Sequence, residues 1–196
     1  QSITITGEVN YPGTYVIEES TVRISDIVAR AEGFRPDAYI KGAKLIRTLT
    51  EEEYERLRVA YSIAQKQLLD DDVLIDMQIG EDFTVAIDLQ AAIDNPGSAA
   101  DLILRPGDLI EVPKINPTVR ISGAVLYPNT VSFVPNKSWK YYLANAGGEL
   151  QNSVKRKVYM VHMNGSVATK GDSNFKVQPG TEIVVPTKDK ENKGQS

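Results

Sequence analysis

Across 196 residues there is no cysteine, which excludes structural disulfides, thiolate metal sites and cysteine nucleophiles. A hydrophobic content of 41% and a formal charge of -4 describe a globular chain long enough for one ordinary domain or two small ones, with nothing resembling the strongly basic face of a nucleic-acid binder. No run approaches the roughly 18 to 20 apolar residues that cross a bilayer, no signal peptide or lipidation signal is visible, and the start at Gln1 reads as a segment cut from a longer precursor.

The first element alternates Ile3, Ile5 and small polar residues, pauses at Gly7, continues through Val9 and turns at Tyr11-Pro12-Gly13-Thr14. This pattern predicts a strand, a turn and a second strand. It returns as Val119, Ile121, Gly123, Val125 and Tyr127-Pro128-Asn129-Thr130. A type II turn accounts for both versions, with proline second and a residue tolerant of positive φ third, which is Gly13 in one copy and Asn129 in the other. Two copies of one hairpin imply two copies of one domain.

Next, Ile24, Ile27, Val28 and Ala31 fall at i, i+3, i+4 and i+7, which predicts one apolar helical face. Ser20 or Thr21 is the expected cap, and Gly33 suits a left-handed residue past the end. The second copy keeps the spacing with Trp139, Tyr142, Leu143 and Ala146, preceded by Ser138 and followed by Gly147-Gly148. A third strand follows in each copy, Ala43 to Arg47 and Val158 to His162, at a constant offset of 115 that pairs Ile24 with Trp139 and Arg47 with His162. Each copy closes on a Pro-Gly turn and a short strand ended by proline: Pro106-Gly107 to Pro113, and Pro179-Gly180 to Pro186. Phe83 to Leu89 alternates as a further strand, with Ser166-Val167-Ala168 its weaker counterpart.

The first copy is longer because of a helical segment. Thr50 and Glu53 form a capping box, and Tyr54, Leu57, Tyr61, Ala64 and Leu68 continue an apolar stripe, so a helix is expected from about 51 to 69 on the outside of the first domain. Between Leu49 and Asp82 ten acidic residues stand against three basic ones, a local charge of -7. The fold class is therefore α+β, with two tandem domains, each a small mixed sheet on one helix. Their expected limits are 1–114, with the helical insertion at about 49–82, and 115–187, followed by a disordered polar tail at 188–196.

Candidate chemistry is sparse. His162 is the only histidine, so any site built on two histidines is excluded. Asp70-Asp71-Asp72 lacks the alternating spacing of a calcium loop and reads as a solvated helix exit. Trp139 invites sugar stacking, but its place on the buried stripe assigns it to the core. Tyr11 and Tyr127 order their hairpins by stacking on proline, with a glycan or subunit contact as the alternative. Lys155-Arg156-Lys157 reads as a solvated loop that an acidic polysaccharide could meet. No phosphate loop, nucleophile elbow or dinucleotide fingerprint occurs, so no catalytic residue, metal or cofactor is expected.

Taken in order, Gly7-Glu8-Val9, Tyr11-Pro12-Gly13-Thr14-Tyr15, Ile24-Ser25-Asp26-Ile27-Val28, Ala31-Glu32-Gly33, Leu45-Ile46-Arg47 and Leu104-Arg105-Pro106-Gly107-Asp108 resemble the soluble-ligand-binding β-grasp family. The second copy matches through Gly123, Tyr127-Pro128, Ala146-Gly147-Gly148 and Val177-Gln178-Pro179-Gly180. The resemblance implies two ubiquitin-like β-grasp domains of the kind found in outer-membrane polysaccharide export proteins. It further implies a non-enzymatic periplasmic module that forms homo-oligomers in the full-length protein. Its partners would be polysaccharide and other export-machinery proteins, with membrane association only through regions outside this segment. A monomeric carbohydrate-binding module is the rival expectation. The chain departs from such proteins in lacking their export signature domain and in carrying the acidic helical insertion.

Overall fold

The computed structural model describes residues 1–69, 73–74 and 80–188. Two compact units result, one from Gln1–Leu49, Glu81–Asn116 and Met163–Ser166, the other from Thr50–Gly80, Pro117–His162 and Val167–Ser196. Each holds a five-stranded mixed sheet, and four α-helices occur among the described residues.

In the first unit, β1 (Ser2–Gly7) pairs antiparallel with β2 (Gly13–Val16) and parallel with β6 (Leu109–Val112). Strand β3 (Lys44–Thr48) joins β6 to β5 (Asp82–Ala86), giving the order β2-β1-β6-β3-β5. Alternation explains β1: Ile3 and Ile5 point inward and are fully buried, while Thr4 bonds Thr14 across the strands at 3.0 Å. Helix α1 (Ile24–Arg30) lays Ile24, Ile27 and Val28 into the core with Ile110 and Val112. Each of these isoleucines, fully buried, contributes about 1.5–3 kcal/mol relative to exposure.

The start of α1 differs from the expected cap. Arg23, not Ser20 or Thr21, is the residue before the helix, and its N–H donates to Asp26 Oδ2 at 2.9 Å. A second carboxylate, Asp101, accepts from the Ser25 N–H at 2.9 Å. Acidic side chains thus satisfy the first-turn donors from within the helix and from 76 positions downstream. At the other end Glu32 (φ 58) and Gly33 (φ 80) are both left-handed, and their N–H groups return to Ala29 O and Val28 O. This is the paired-bond helix stop expected of a Schellman motif.

The second unit repeats the plan. Strands β7 (Thr118–Gly123), β8 (Asn129–Ser132), β9 (Tyr159–Val161), β10 (Val167–Thr169) and β11 (Glu182–Val185) run in the order β10-β9-β11-β7-β8. Helix α4 (Trp139–Asn145) packs Trp139, Tyr142 and Leu143 on them and stops through Gly147 and Gly148 in the same way.

The hairpin turns correct the type II expectation. Gly13 pairs with Ile5 and Asn129 with Ile121, so the third turn position is already the first residue of a strand. Gly13 does take positive φ (153), though not the value near 80 of a type II turn, whereas Asn129 does not, since Glu32 and Asn136 are the described non-glycine residues that do. The demanding positions are Gly7 (φ 89) and Gly123 (φ 88), where a Cβ would stand 2.0 Å from Val112 O and 2.1 Å from Val185 O.

A third helix, α3 (Leu89–Asp94), was not expected. Asp88 caps it by accepting from the Ala91 N–H at 3.0 Å, which cuts short the alternation read from Phe83 to Leu89. Helix α2 occupies Glu51–Leu69, with Thr50 and Glu53 in reciprocal capping bonds. The segment Thr50–Gly80, expected on the outside of the first domain, belongs to the second unit instead. The pairing of β4 (Val73–Leu74) with β12 (Thr187–Lys188) accounts for this. Of the expected stripe, Leu57 and Tyr61 are half-buried and Tyr54 is exposed, while the side chains of Ala64 and Leu68 lie outside the described ones; Val59 and Ile63, on another face, are exposed. Asp70-Asp71-Asp72 and residues 189–196 of the expected tail lie outside the described residues, whereas Lys188 is in a strand.

Candidate functional site

The closing Pro-Gly turn of each unit carries a polar anchor. In the first, Arg47 on β3 donates from Nε and Nη2 to the two carboxylate oxygens of Asp108 at 3.1 and 2.9 Å, and Asp108 also accepts from the Arg105 N–H. Asp108 is buried, so this bidentate geometry compensates its desolvation. In the second unit His162 and Thr181 stand at the matching places. His162 Nε2 faces the carbonyl of Asn174 at 2.7 Å and therefore carries the proton, leaving Nδ1 to accept from Thr181 Oγ1 at 2.9 Å. Thr181 Oγ1 in turn accepts from the Gln178 N–H. Every polar atom of the pair is used to hold a turn, which makes His162 a structural residue.

Asp101 has the same character. Burial by itself raises its carboxyl pKa, but hydrogen bonds from the Ser25 side chain, the Gly97 N–H and the Ser25 N–H, together with the Arg23 charge, outweigh burial and hold the group below its ordinary 3.8. Its role is to fasten the loop before β6 to the start of α1. Among the described residues no group of three His, Cys, Asp or Glu side chains is placed to hold a metal ion.

Tyr11 and Tyr127 occupy equivalent loops and are 58% and 64% exposed. The loops themselves are fixed by backbone bonds. Asn10 and Tyr11 N–H donate to the carbonyls of Gly33 and Ala31, and Leu126 and Tyr127 N–H to those of Gly148 and Ala146. Gly147 permits this approach, since a Cβ there would meet Leu126 and Tyr127 side chains at 3.0 Å.

Lys155-Arg156-Lys157 forms a short 3₁₀ turn. Lys155 pairs with Glu149 at 3.4 Å and also stands 6.0 Å from the centroid of the Trp139 ring. Two more ammonium groups, Lys170 and Lys140, approach that ring at 4.9 and 5.8 Å. Trp139 is only 9% exposed and packs in the core, yet it also lines a cavity of about 520 Å³ with Phe133, Phe175, Lys137 and Lys176. Sequence reasoning placed Trp139 in the core but missed this cluster, because β10 and the turn after it bring Lys170 and Phe175 in from more than 30 residues away.

Comparison with known proteins adds relationship to geometry. A family model described as SLBB domain matches residues 1–112. Two Escherichia coli proteins, each described as polysialic acid transport protein KpsD, are 30% identical to this chain over 91 residues. The aligned part is 46% of this chain and 16% of each relative's length. No described helix is long and apolar enough to cross a membrane.

Proposed function

The chain belongs to the SLBB domain family, and from that premise we propose that it is a non-enzymatic module of a capsular or extracellular polysaccharide export protein. The observation that carries this reading is the family match together with the two relatives described as polysialic acid transport proteins. The module works in the periplasm as part of an outer-membrane-associated assembly, by self-association and by contact with other export proteins.

Each unit is read as a ubiquitin-like β-grasp domain. Support comes from the shared strand order, in which the first and last strands run parallel at the centre, and from the matching helices α1 and α4 that pack on the two sheets. Such rigid sheets present loops at fixed positions, and the exposed Tyr11 and Tyr127 are suited to contacts between subunits.

Crosslinking of the full-length protein in its own membrane tests the proposal. Discrete high-order oligomers, and loss of surface polysaccharide on deletion of the gene, are the expected results. Strictly monomeric protein in the membrane, or unchanged surface polysaccharide in the deletion strain, overturns it.

A further inference from the structure

The cavity beside Trp139 has a composition that the fold does not require. Its wall is aromatic, from Phe133, Trp139 and Phe175, and its polar side carries Asn136, Lys137 and Lys176. It is a half-open cleft of about 520 Å³, large enough to admit a sugar ring. Asn136 is left-handed (φ 63), a conformation asparagine tolerates, and the chain bends there between β8 and α4.

Lys137 and Lys176 line it, and Lys140, Lys155 and Lys170 stand 5.8, 6.0 and 4.9 Å from the centroid of the Trp139 ring. Lys155 has Glu149 as a partner, but among the described residues Lys137, Lys140, Lys170 and Lys176 have no carboxylate within ion-pair distance. An anion bound in the cavity would gain from the positive charge of its lining lysines.

The first unit provides an internal comparison. There Ile24 stands for Trp139 and Ile17 for Phe133, and the neighbouring hollow is lined by Glu18, Glu19 and Asp26 with Arg30. The same sheet and helix therefore form without lysines or aromatic rings at this place. What the second unit adds here is aromatic rings and lysines.

We propose that the Trp139 cavity binds anionic sugar residues of an acidic polysaccharide. The aromatic wall takes the apolar C–H face of the ring, and the lysines take its negative charge. This deepens the export reading, on which the source of the ligand rests.

The sole tryptophan reports the site directly. Titration of the 196-residue chain with oligosialic acid, followed by Trp139 fluorescence, is expected to give a saturable change. The paired substitution Lys137→Gln and Lys176→Gln weakens the apparent affinity by about tenfold, and Phe175→Leu weakens it independently, each with unchanged far-UV circular dichroism. Lys41→Gln, in the first unit, leaves it unchanged. Neutral dextran oligomers give no response. The proposal is overturned by a flat titration, by unaltered affinity in both variants, or by polyglutamate of equal charge giving the same midpoint. Oligomers in the membrane alongside a flat titration refute the cavity alone. Monomers there alongside saturable binding refute the export assembly and leave the cavity standing.

Discussion

Gly123→Ala is expected to destabilise the second unit by about 2–5 kcal/mol. Two effects contribute. Holding alanine at φ 88 costs about 1–2 kcal/mol because its Cβ crowds the local backbone. The new Cβ also lies 2.1 Å from Val185 O, so β7 and β11 must part by about an ångström to reach ordinary contact. That movement loosens the 2.8 Å bond from the Ala124 N–H to Val185 O, and a buried carbonyl left unpaired costs a further 1–3 kcal/mol or so. Urea unfolding followed by Trp139 fluorescence reads the unit in which the change is made. With a slope of about 2 kcal/mol per molar, the midpoint falls by roughly 1–2.5 M. Gly148→Ala is the control, because it has the same sign of φ (84) but open space around its Cβ. It is expected to cost only the first contribution. If the two variants unfold within about 0.5 kcal/mol of each other, the close strand approach is not what fixes Gly123, and the reasoning fails.

The remaining predictions concern the buried polar anchors. Asp108→Thr leaves the Arg47 guanidinium without its carboxylate and costs about 3 kcal/mol; adding Arg47→His imports the pairing of the second unit and recovers part of the loss, which urea unfolding by circular dichroism will detect as non-additivity. Asp101→Asn lowers stability at pH 7 by about 1–3 kcal/mol. The folded pKa of Asp101 is depressed, so its contribution is complete above 3.8 and drains as pH falls through the lower folded value. The gap between wild type and variant should therefore close only below pH 3.8, and a gap that closes nearer neutrality refutes the assignment. Tyr142→Phe removes a buried hydroxyl that donates to Val134 O and accepts from the Val134 N–H. It should cost about 1–3 kcal/mol in the Trp139 unfolding curve.

Much of the fold was legible where periodicity and burial coincide. Ile24, Ile27 and Val28 are spaced for one face and that face is buried, as is its counterpart with Trp139, Tyr142 and Leu143. Helix α2 was legible from Thr50 and Glu53 alone, since a capping box is a local signal. The stripe on α2 was less informative, because periodicity says which side chains share a face and not whether anything covers it. The turn glycines misled for a related reason. Gly13 and Asn129 look like turn residues by type, whereas Gly7 and Gly123 are demanded by strands roughly 105 and 62 residues away, a constraint with no local mark. Helix α3 hid behind an alternation whose end only Asp88 signals. The lysines around Trp139 were equally out of reach, because β9 and β10 must pair before residues 140, 155 and 170 converge.

The way each hairpin loop rests on its helix has a practical consequence. Backbone N–H groups make that joint in both units, and the side chain at its first position is asparagine in one and leucine in the other. In the first unit the Asn10 side chain adds a bond to the Glu32 carbonyl at 2.7 Å, but Tyr11 and Tyr127 take part through their backbone N–H groups, so residues 11 and 127 are positions at which a probe or a crosslinker can be installed while the joint holds. The two loops are thus natural attachment points for measuring, in an assembled envelope complex, how far each unit lies from its neighbours.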